Sequence, residues 1–253
     1  MNVVIDWGNS GLKAGWFDGP MPTRTARYAA PDALVADLSS TPPAHILVSS
    51  TSRPTDELRA RLRTLTDSVW DLDGQTPVPI GRDYETPHTL GTDRVAAAVG
   101  ATVLHPAQDA LVLDLGTCLT ADWIDETGTF RGGLIAPGLA MRLRAMHEQT
   151  ARLPLVGADE VAGWPDLTAR NTRQAMRSGA LNGLAFELAG IIETYRQQRP
   201  GVAVLLCGGD APVFESRLKA PIFVHPELVL IGLNRILEYN VQRVRAHAPD
   251  TNG

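Results

Sequence analysis

Apolar runs along the chain alternate with segments whose apolar residues recur at helical spacing. Two of the apolar runs are followed by the same order of acid, glycine-containing turn and second apolar segment. Residues 3–5 lead into Asp6, a turn containing Gly8, and a second strand-like segment at 12–17. Residues 111–113 lead in the same way into Asp114, a turn containing Gly116, and a segment at 119–124. Each copy predicts a strand, a tight turn and a second strand, with an acid ending the first strand. Two such copies, spaced by nearly half the chain, predict two similar halves.

The remaining pattern predicts strands that alternate with helices. Short apolar runs predict strands at 46–50, 129–136 and 202–206, the last buried on both faces. Helical spacing predicts helices at 55–65, 94–104, 172–198 and 226–244, and one from Gly138 to about Thr150. Gly179 and Gly183 are positions where the long helix can be interrupted, and 247–253 is expected to be a frayed tail.

The polar, proline-containing segment 105–109 is the candidate boundary between the halves. We therefore expect an N-terminal half at 1–107 and a C-terminal half at 108–253. Alternation of strands and helices predicts an α/β fold with a mixed, largely parallel sheet in each half.

Composition excludes several classes of protein. The 253 residues are 44% hydrophobic and 20% charged, with a net charge of -5, so no basic surface for nucleic acid or an anionic membrane is expected. No apolar stretch approaches the roughly 18 residues that span a bilayer, and the first residues do not resemble a signal peptide. Two distant cysteines and six scattered histidines favour neither disulfides nor zinc. A cytoplasmic protein is the expectation.

The two turns have the chemistry of phosphate-binding loops. Glycine at a turn lets backbone N–H groups converge on an anion. Asn9, Ser10 and Thr117 can add hydrogen bonds to phosphate oxygens, and the ammonium group of Lys13 can reach a phosphate. The carboxylates of Asp6 and Asp114 can hold the cations that neutralise a triphosphate. A single Asp-x-Gly is more simply a structural turn, but two copies with matching flanks favour phosphate binding.

For two further motifs, the local sequence leaves both a functional and a structural interpretation open. Gly208-Gly209 follows a predicted buried strand and allows a flat ligand such as adenosine to lie on the backbone. The alternative is that the two glycines form only a tight connection, with Asp210 as a helix N-cap. In the segment 90–94, LGTDR, Asp93 can accept a hydroxyl proton and Arg94 can hold an anion. The alternative is that Thr92 caps the helix and Asp93 complements its dipole.

Together these residues resemble a known family. The blocks DWGNS at 6–10, DLGT at 114–117 and LCGG at 206–209 resemble the two phosphate motifs and the adenosine motif of the actin-like ATPases. Gly91-x-Asp93-Arg94, preceded by Tyr84 and Pro87, resembles the signature of the type III pantothenate kinases. So do GGLIAPG at 132–138, ARLP at 151–154 and NTRQAM at 171–176. The blocks extend from Asp6 to Asp210, and their joint order and spacing are specific.

The resemblance implies two ribonuclease H-like (actin-like ATPase) halves and ATP-dependent phosphorylation of pantothenate, the first step towards coenzyme A. It implies magnesium, a monovalent cation (potassium or ammonium), and a homodimer with the substrate site at the interface, formed by 132–154 and residues around Thr172. It implies Asp93 as general base. The implied pantothenate set is Tyr84, Gly91, Thr92, Arg94 and Thr172; the implied ATP set is Asp6, Gly8, Asn9, Ser10, Lys13, Gly116, Thr117, Gly208 and Gly209; the implied metal ligands are Asp114 and Asp6.

The resemblance leaves the roles of some residues and two alternative functions open. Asn171 or Thr172 can simply cap the long helix. Ser10 stands where the family more usually has Thr, and Cys118 and Cys207 are expected to be small buried residues. A related kinase acting on another small hydroxylated substrate is one alternative, because the ATP motifs do not fix the acceptor. A non-catalytic ATP- or pantothenate-binding regulator is the other, although every residue expected for chemistry is present.

Overall fold

A computed structural model describes residues 1–9, 11–157, 160 and 163–247 of the chain. The strands are β1 Asn2–Gly8, β2 Gly11–Phe17, β3 Pro22–Tyr28, β4 His45–Ser50, β5 Val69–Leu72, β6 Gly81–Arg82, β7 Ala110–Leu115, β8 Cys118–Ile124, β9 Thr129–Pro137, β10 Ala203–Cys207 and β11 Phe223–Val224. The helices are α1 Pro31–Ser40, α2 Asp56–Leu62, α3 Thr92–Leu104, α4 Leu139–Glu148, α5 Thr172–Gln198, α6 Ala211–Glu215 and α7 Leu228–His247. A single 3₁₀ turn covers Pro87–Thr89.

The chain forms two compact units. Unit 1 comprises Met1–Gln108, Ile124–Gly132 and Glu227–Gly253, and unit 2 comprises Asp109–Trp123 and Gly133–Pro226. The expected division into independent halves after residue 107 stays a prediction. No helix within the described ranges is long and apolar enough to cross a membrane.

The sheet of unit 1 has the order β3-β2-β1-β4-β5. Strands β1, β2 and β3 are antiparallel neighbours, whereas β1, β4 and β5 are parallel. Alternation along β1 sends Val3, Ile5 and Trp7 into a core with residues of α1 and α2. Val4 and Asp6 consequently lie on the other face of the sheet. Helices α3 and α7 pack together, and both contact β4.

Helices α3 and α7 approach closely at two glycines. A Cβ atom on Gly232 would collide with the carbonyl group of Ala96, and one on Gly100 would collide with the carbonyl group of Leu228. Close packing of backbone on backbone fixes the position of α3. That position matters because α3 begins with the predicted Thr92-Asp93-Arg94 motif.

The second sheet has the order β11-β10-β7-β8-β9-β6. Strand β10 is parallel to β7 and β11, and all five of its residues are buried, as its apolar sequence predicts. The core of unit 2 contains residues of β7, β10, α4, α5 and α6.

The structure confirms both predicted strand–turn–strand segments, β1–β2 and β7–β8. Helix α5 is continuous through Gly179 and Gly183, so an interruption there is wrong. The sheet of unit 1 is mixed, as predicted, but it is not largely parallel, because two of its four strand pairs, β1–β2 and β2–β3, are antiparallel. Helix α7 continues to His247, and residues 248–253 of the expected frayed tail lie outside the described ranges.

Candidate functional site

A row of polar residues crosses the sheet of unit 1 at one level. Arg27 of β3 is the register partner of Lys13 on β2, Lys13 is the partner of Asp6 on β1, and Asp6 is the partner of Ser49 on β4. Residues directly opposite one another on paired strands project from the same face. The four side chains therefore share the face opposite the core packed on α1 and α2.

Asp6 has an unusual environment in this row. Burial and, second to it, the nearby negative charge of Asp93 raise its pKa from 3.8 to about 6, against the opposing effect of Lys13 and Arg27. The influence of Asp93 shows that the two predicted carboxylates are close in space. Asp6 is ionised at neutral pH, so it can act as a ligand for cations.

The first turn of α3 carries the second carboxylate. Gly91 is the N-cap residue and no side chain caps the helix, so the alternative that Thr92 serves as N-cap is wrong. The Thr92 hydroxyl instead lies 3.0 Å from the hydroxyl oxygen of Ser49, a fully buried residue. One Asp93 carboxylate oxygen accepts the backbone N–H of Arg94 at 2.8 Å. The hydrogen bond between Ser49 and Thr92 links the strand beside Asp6 to the helix turn that carries Asp93.

Arg94 is held against two aromatic rings. Its guanidinium carbon lies 5.9 Å from the ring centre of Tyr84 and 5.5 Å from that of Phe130, and only 7% of the residue is exposed. The two rings meet edge to face at 5.8 Å. Cation–π contacts with a largely desolvated guanidinium restrict its position. Tyr84, half-buried, and Arg94 are thus brought together, as the sequence predicts.

Ion pairs hold the segment that precedes Tyr84. Arg131 of β9 contacts Asp83 and Asp125, each at 2.7 Å. Burial alone would raise the pKa of Asp125, but hydrogen bonds from Thr127, from the backbone of Thr129 and from Arg131 lower it to about 2. The backbone N–H of Asp83 also donates to the Phe130 carbonyl at 2.9 Å. These contacts fix the register of the Tyr84 segment against β9.

The first turn is closed by the pairing of Gly8 with Gly11. Asn9 is exposed at its tip. The predicted phosphate ligand Ser10 lies outside the described residues.

The second turn and the glycine pair come together in unit 2. Asp114 is the register partner of Cys207, and a Cβ atom on Gly208, whose φ is +89°, would collide with the Asp114 carboxylate. The backbone N–H of Asp210 donates to the Leu115 carbonyl at 3.0 Å. Only glycine fits this position, for both space and backbone conformation. Asp210 is the N-cap of α6 but makes no side-chain capping bond, so the simple capping role is wrong.

Backbone hydrogen bonds shape the turn itself. The N–H of Gly116 donates to the Cys118 carbonyl at 3.0 Å, and the N–H of Gly138 donates to the Thr117 carbonyl at 3.2 Å. The segment between β9 and α4 thereby packs directly on the turn that contains Gly116 and Thr117. Cys207 is buried as predicted, whereas Cys118 is only partly buried.

Thr172 is exposed at the first position of α5. Asn171 caps this helix, because its side-chain oxygen accepts the backbone N–H of Gln174 at 2.9 Å. The capping role considered for Asn171 is therefore confirmed, and Thr172 does not carry it. A separate cavity of about 530 Å³ lies along α5 and is lined by Trp164, Phe186 and Arg217 among others, but by none of the predicted site residues.

Three residues of the site in unit 1 were not predicted from the sequence. Ser49 lies on a strand that was predicted, and its alignment with Asp6 required only the register of β1 against β4. Arg27 lies on a strand that was not predicted, since PTRTARY lacks apolar alternation. Phe130 has no local signal, because its contact with Arg94 joins distant segments.

Comparison with known proteins gives the family. The sequence profile described as Type III pantothenate kinase matches residues 2–194. A type III pantothenate kinase of Cytophaga hutchinsonii is 47% identical over 241 residues, covering 95% of this chain and 100% of that protein. One from Bacteroides fragilis is 39% identical over 246 residues, covering 96% and 100%.

Solved structures agree on the fold. The activator of the 2-hydroxyisocaproyl-CoA dehydratase from Clostridium difficile, solved with bound ADPNP, has a TM-score of 0.58 at 10% identity, covering 100% of this chain and 99% of that one. The predicted α/β fold class, an actin-like ATPase arrangement of mixed sheets flanked by helices, is confirmed. Because the profile matches most of the chain and the relatives align over their full length, the chain belongs to the type III pantothenate kinase family.

Proposed function

We propose that this protein transfers the terminal phosphoryl group of ATP to the primary hydroxyl of pantothenate, giving 4'-phosphopantothenate in the first step of coenzyme A biosynthesis. Its full-length similarity to type III pantothenate kinases supports the substrate and the reaction. The structural observation that carries the proposal is Asp93 in the first turn of α3, close to Asp6. One oxygen of its carboxylate accepts the backbone N–H of Arg94. A carboxylate at this position can accept a hydroxyl proton while phosphate groups occupy the neighbouring turn.

The pantothenate set comprises Tyr84, Gly91, Thr92, Arg94 and Thr172, with Asp93 as general base. Arg94 supports this assignment, because a guanidinium held against two rings can present fixed donors to the carboxylate of pantothenate. The hydrogen bond between Thr92 and Ser49 supports it as well, since it restricts the turn on which Asp93 lies. A general base must be held in hydrogen-bonding reach of the proton that it takes.

The ATP set comprises Asp6, Gly8, Asn9, Ser10 and Lys13 from the first turn, Gly116 and Thr117 from the second, and Gly208 and Gly209. Support comes from the position of Lys13 beside Asp6 and from Gly8 and Gly209, where a Cβ atom would meet nothing within 4 Å. Open backbone at glycines can approach phosphate or adenosine without obstruction by side chains.

The carboxylates also fit the cations of the reaction. Among the described residues no group of three or more Asp, Glu, His or Cys side chains could hold a metal ion alone. Magnesium in kinases commonly takes one or two carboxylates together with substrate phosphates, so Asp6 and Asp114 suffice as protein ligands. Magnesium and a monovalent cation, potassium or ammonium, would neutralise charge on the phosphates when bound.

We further propose a homodimer in the cytoplasm, with Thr172 serving the partner's substrate site. Residues of the expected interface expose apolar side chains: Leu134 is 38% exposed, Ile135 62% and Met141 37%. Exposed apolar side chains grouped along one segment are typical of an interaction surface.

The experiment is a coupled assay of purified protein with ATP, magnesium and pantothenate, in sodium, potassium and ammonium buffers. We expect phosphorylated pantothenate, identified by mass spectrometry, with turnover higher in potassium or ammonium than in sodium. Glucose and acetate serve as alternative acceptors. Turnover of one of those without turnover of pantothenate would contradict the proposal, as would ATP binding without transfer to any acceptor.

A further inference from the structure

Two positive charges stand directly opposite each other on the strands next to Asp6. Lys13 on β2 and Arg27 on β3 are register partners in an antiparallel pair. Like charges at such positions destabilise a sheet, because the Cβ atoms of opposite residues are about 5 Å apart. Asp6, the register partner of Lys13, supplies one negative charge to this row, so the two cations exceed the row's single carboxylate by one positive charge.

Arg27 differs from the other arginine of its strand. Arg24 pairs with Asp37 at 2.6 Å and stacks on Trp16 with its guanidinium carbon 4.2 Å from the ring centre. Arg27 is exposed and makes no hydrogen bond or ion pair within 4 Å to any residue that the structure describes. Its recorded influence is a longer-range one on the carboxylate of Asp6. A structural role explains Arg24 and leaves Arg27 unexplained.

The position of Arg27 relative to the first turn is set by the sheet. Neighbouring strands are about 4.8 Å apart, so Arg27 lies about 10 Å from the β1 backbone at Asp6, on the same face. An arginine side chain is long enough to bring its guanidinium above Lys13. Its planar group of donors binds phosphate oxygens in pairs, which the single ammonium group of Lys13 cannot do.

We propose that Arg27 is a phosphate-binding residue, which acts with Lys13 on the polyphosphate chain of the nucleotide. This inference rests on the proposed function only in taking the ligand to be a nucleotide triphosphate. Arg27 contacts phosphate oxygens and not the adenosine part. Its loss therefore weakens every ligand that carries the polyphosphate chain and leaves adenosine unaffected.

The test is calorimetric titration of the full chain with ATP, inorganic tripolyphosphate and adenosine, each with magnesium. We compare wild type, Arg27→Gln and Arg27→Lys with the control Arg63→Gln, an exposed arginine at the end of α2 that removes the same charge. We expect Arg27→Gln to weaken ATP and tripolyphosphate binding by about 10-fold, a typical loss for one charge-assisted contact. Arg27→Lys should lose less, and Arg63→Gln should match wild type.

Unchanged tripolyphosphate affinity in Arg27→Gln would overturn the inference, as would an equal loss for adenosine. Kinetics then separate it from the proposed function. If wild type phosphorylates pantothenate but Arg27→Gln keeps its KM for ATP, this inference alone fails. If tripolyphosphate binding depends on Arg27 while pantothenate is not phosphorylated, the inference stands and the proposed acceptor is wrong.

Discussion

At the scale of single residues, Asp6 shows how register determines chemistry. The residue ends an apolar run, so its carboxylate is carried to the edge of a buried strand. Lys13 and Ser49 become its neighbours because they occupy the same level on β2 and β4. Burial and the charge of Asp93 then raise its pKa to about 6. Ionised Asp6 at neutral pH consequently costs the folded protein stability.

Replacing Asp6 should reveal that cost. Between pH 3.8 and 6 the folded protein binds a proton that the unfolded chain has released, so stability falls as pH rises through this range. Asp6→Asn should therefore gain stability relative to wild type on going from pH 5 to pH 8, by about 1 kcal/mol. The measurement is urea unfolding at both pH values, without nucleotide or divalent cation.

Asp67→Asn is the matched control for that experiment, since Asp67 is exposed. The stability of this control relative to wild type at the two pH values gives the baseline. An Asp6→Asn difference that does not rise above that baseline from pH 5 to pH 8 would contradict the raised pKa of Asp6. Loss of kinase activity in the stabilised variant would show that Asp6 is kept for function.

The sequence was sufficient to select Asp6, Asp93, Arg94 and Asp114 as candidates, because each lies in a motif at the end of an element. It could not bring Asp6 and Asp93 together. That proximity depends on alternation along β1, on the pairing of β1 with β4, and on the Ser49–Thr92 hydrogen bond. Phe130 and Arg27 were not predicted for the same reason, because their positions in the site are set by contacts between distant segments.

At the scale of elements, the contact of α3 with α7 positions the Thr92-Asp93-Arg94 motif, to which we assign the chemistry. Gly100 and Gly232 let the two backbones approach. Helix propensity alone disfavours glycine at both positions, so packing has overridden it. Helical spacing predicted both helices, but not that their glycines face each other.

A pair of glycine replacements tests this packing. Gly232→Ala places a Cβ against the Ala96 carbonyl and should destabilise the protein by about 1–3 kcal/mol. Gly190→Ala in α5 places a Cβ where nothing lies within 4 Å and should stabilise by about 0.5–1 kcal/mol. Thermal unfolding of both variants is the measurement. Equal effects of the two replacements would show that α3 and α7 are not in close contact at Gly232.

Element prediction failed where the pattern is weak. Strand β3 is an edge strand with mostly exposed polar residues, and β5 and β6 are short. The apolar runs of β1, β7 and β10 are buried on both faces or nearly so, and they were predicted within one or two residues. Burial therefore decides how visible a strand is in the sequence.

At the scale of the whole molecule, each of the two sheets contains one copy of the repeated strand–turn–strand plan, β1–β2 in one and β7–β8 in the other. The family relationship adds the expectation of a dimer. We predict that wild type sediments as a dimer at micromolar concentration and that Ile135→Lys shifts it to monomer, because Ile135 is 62% exposed in the proposed interface.

Val244→Lys is the control for the dimer, since Val244 is 56% exposed on α7, outside the proposed interface. It should remain dimeric. A monomeric wild type, or equal dissociation of both variants, would refute the proposed interface.

Phosphorylation of pantothenate with Asp93 as general base is tested by the turnover number of wild type against Asp93→Asn, with ATP affinity measured in parallel. We expect turnover by wild type and a loss of about 100-fold or more in the variant, the usual contribution of a general base, with ATP binding retained. Wild-type turnover that survives in Asp93→Asn would show that another group takes the proton. Absence of wild-type turnover, with ATP bound, would contradict the assignment of pantothenate as substrate.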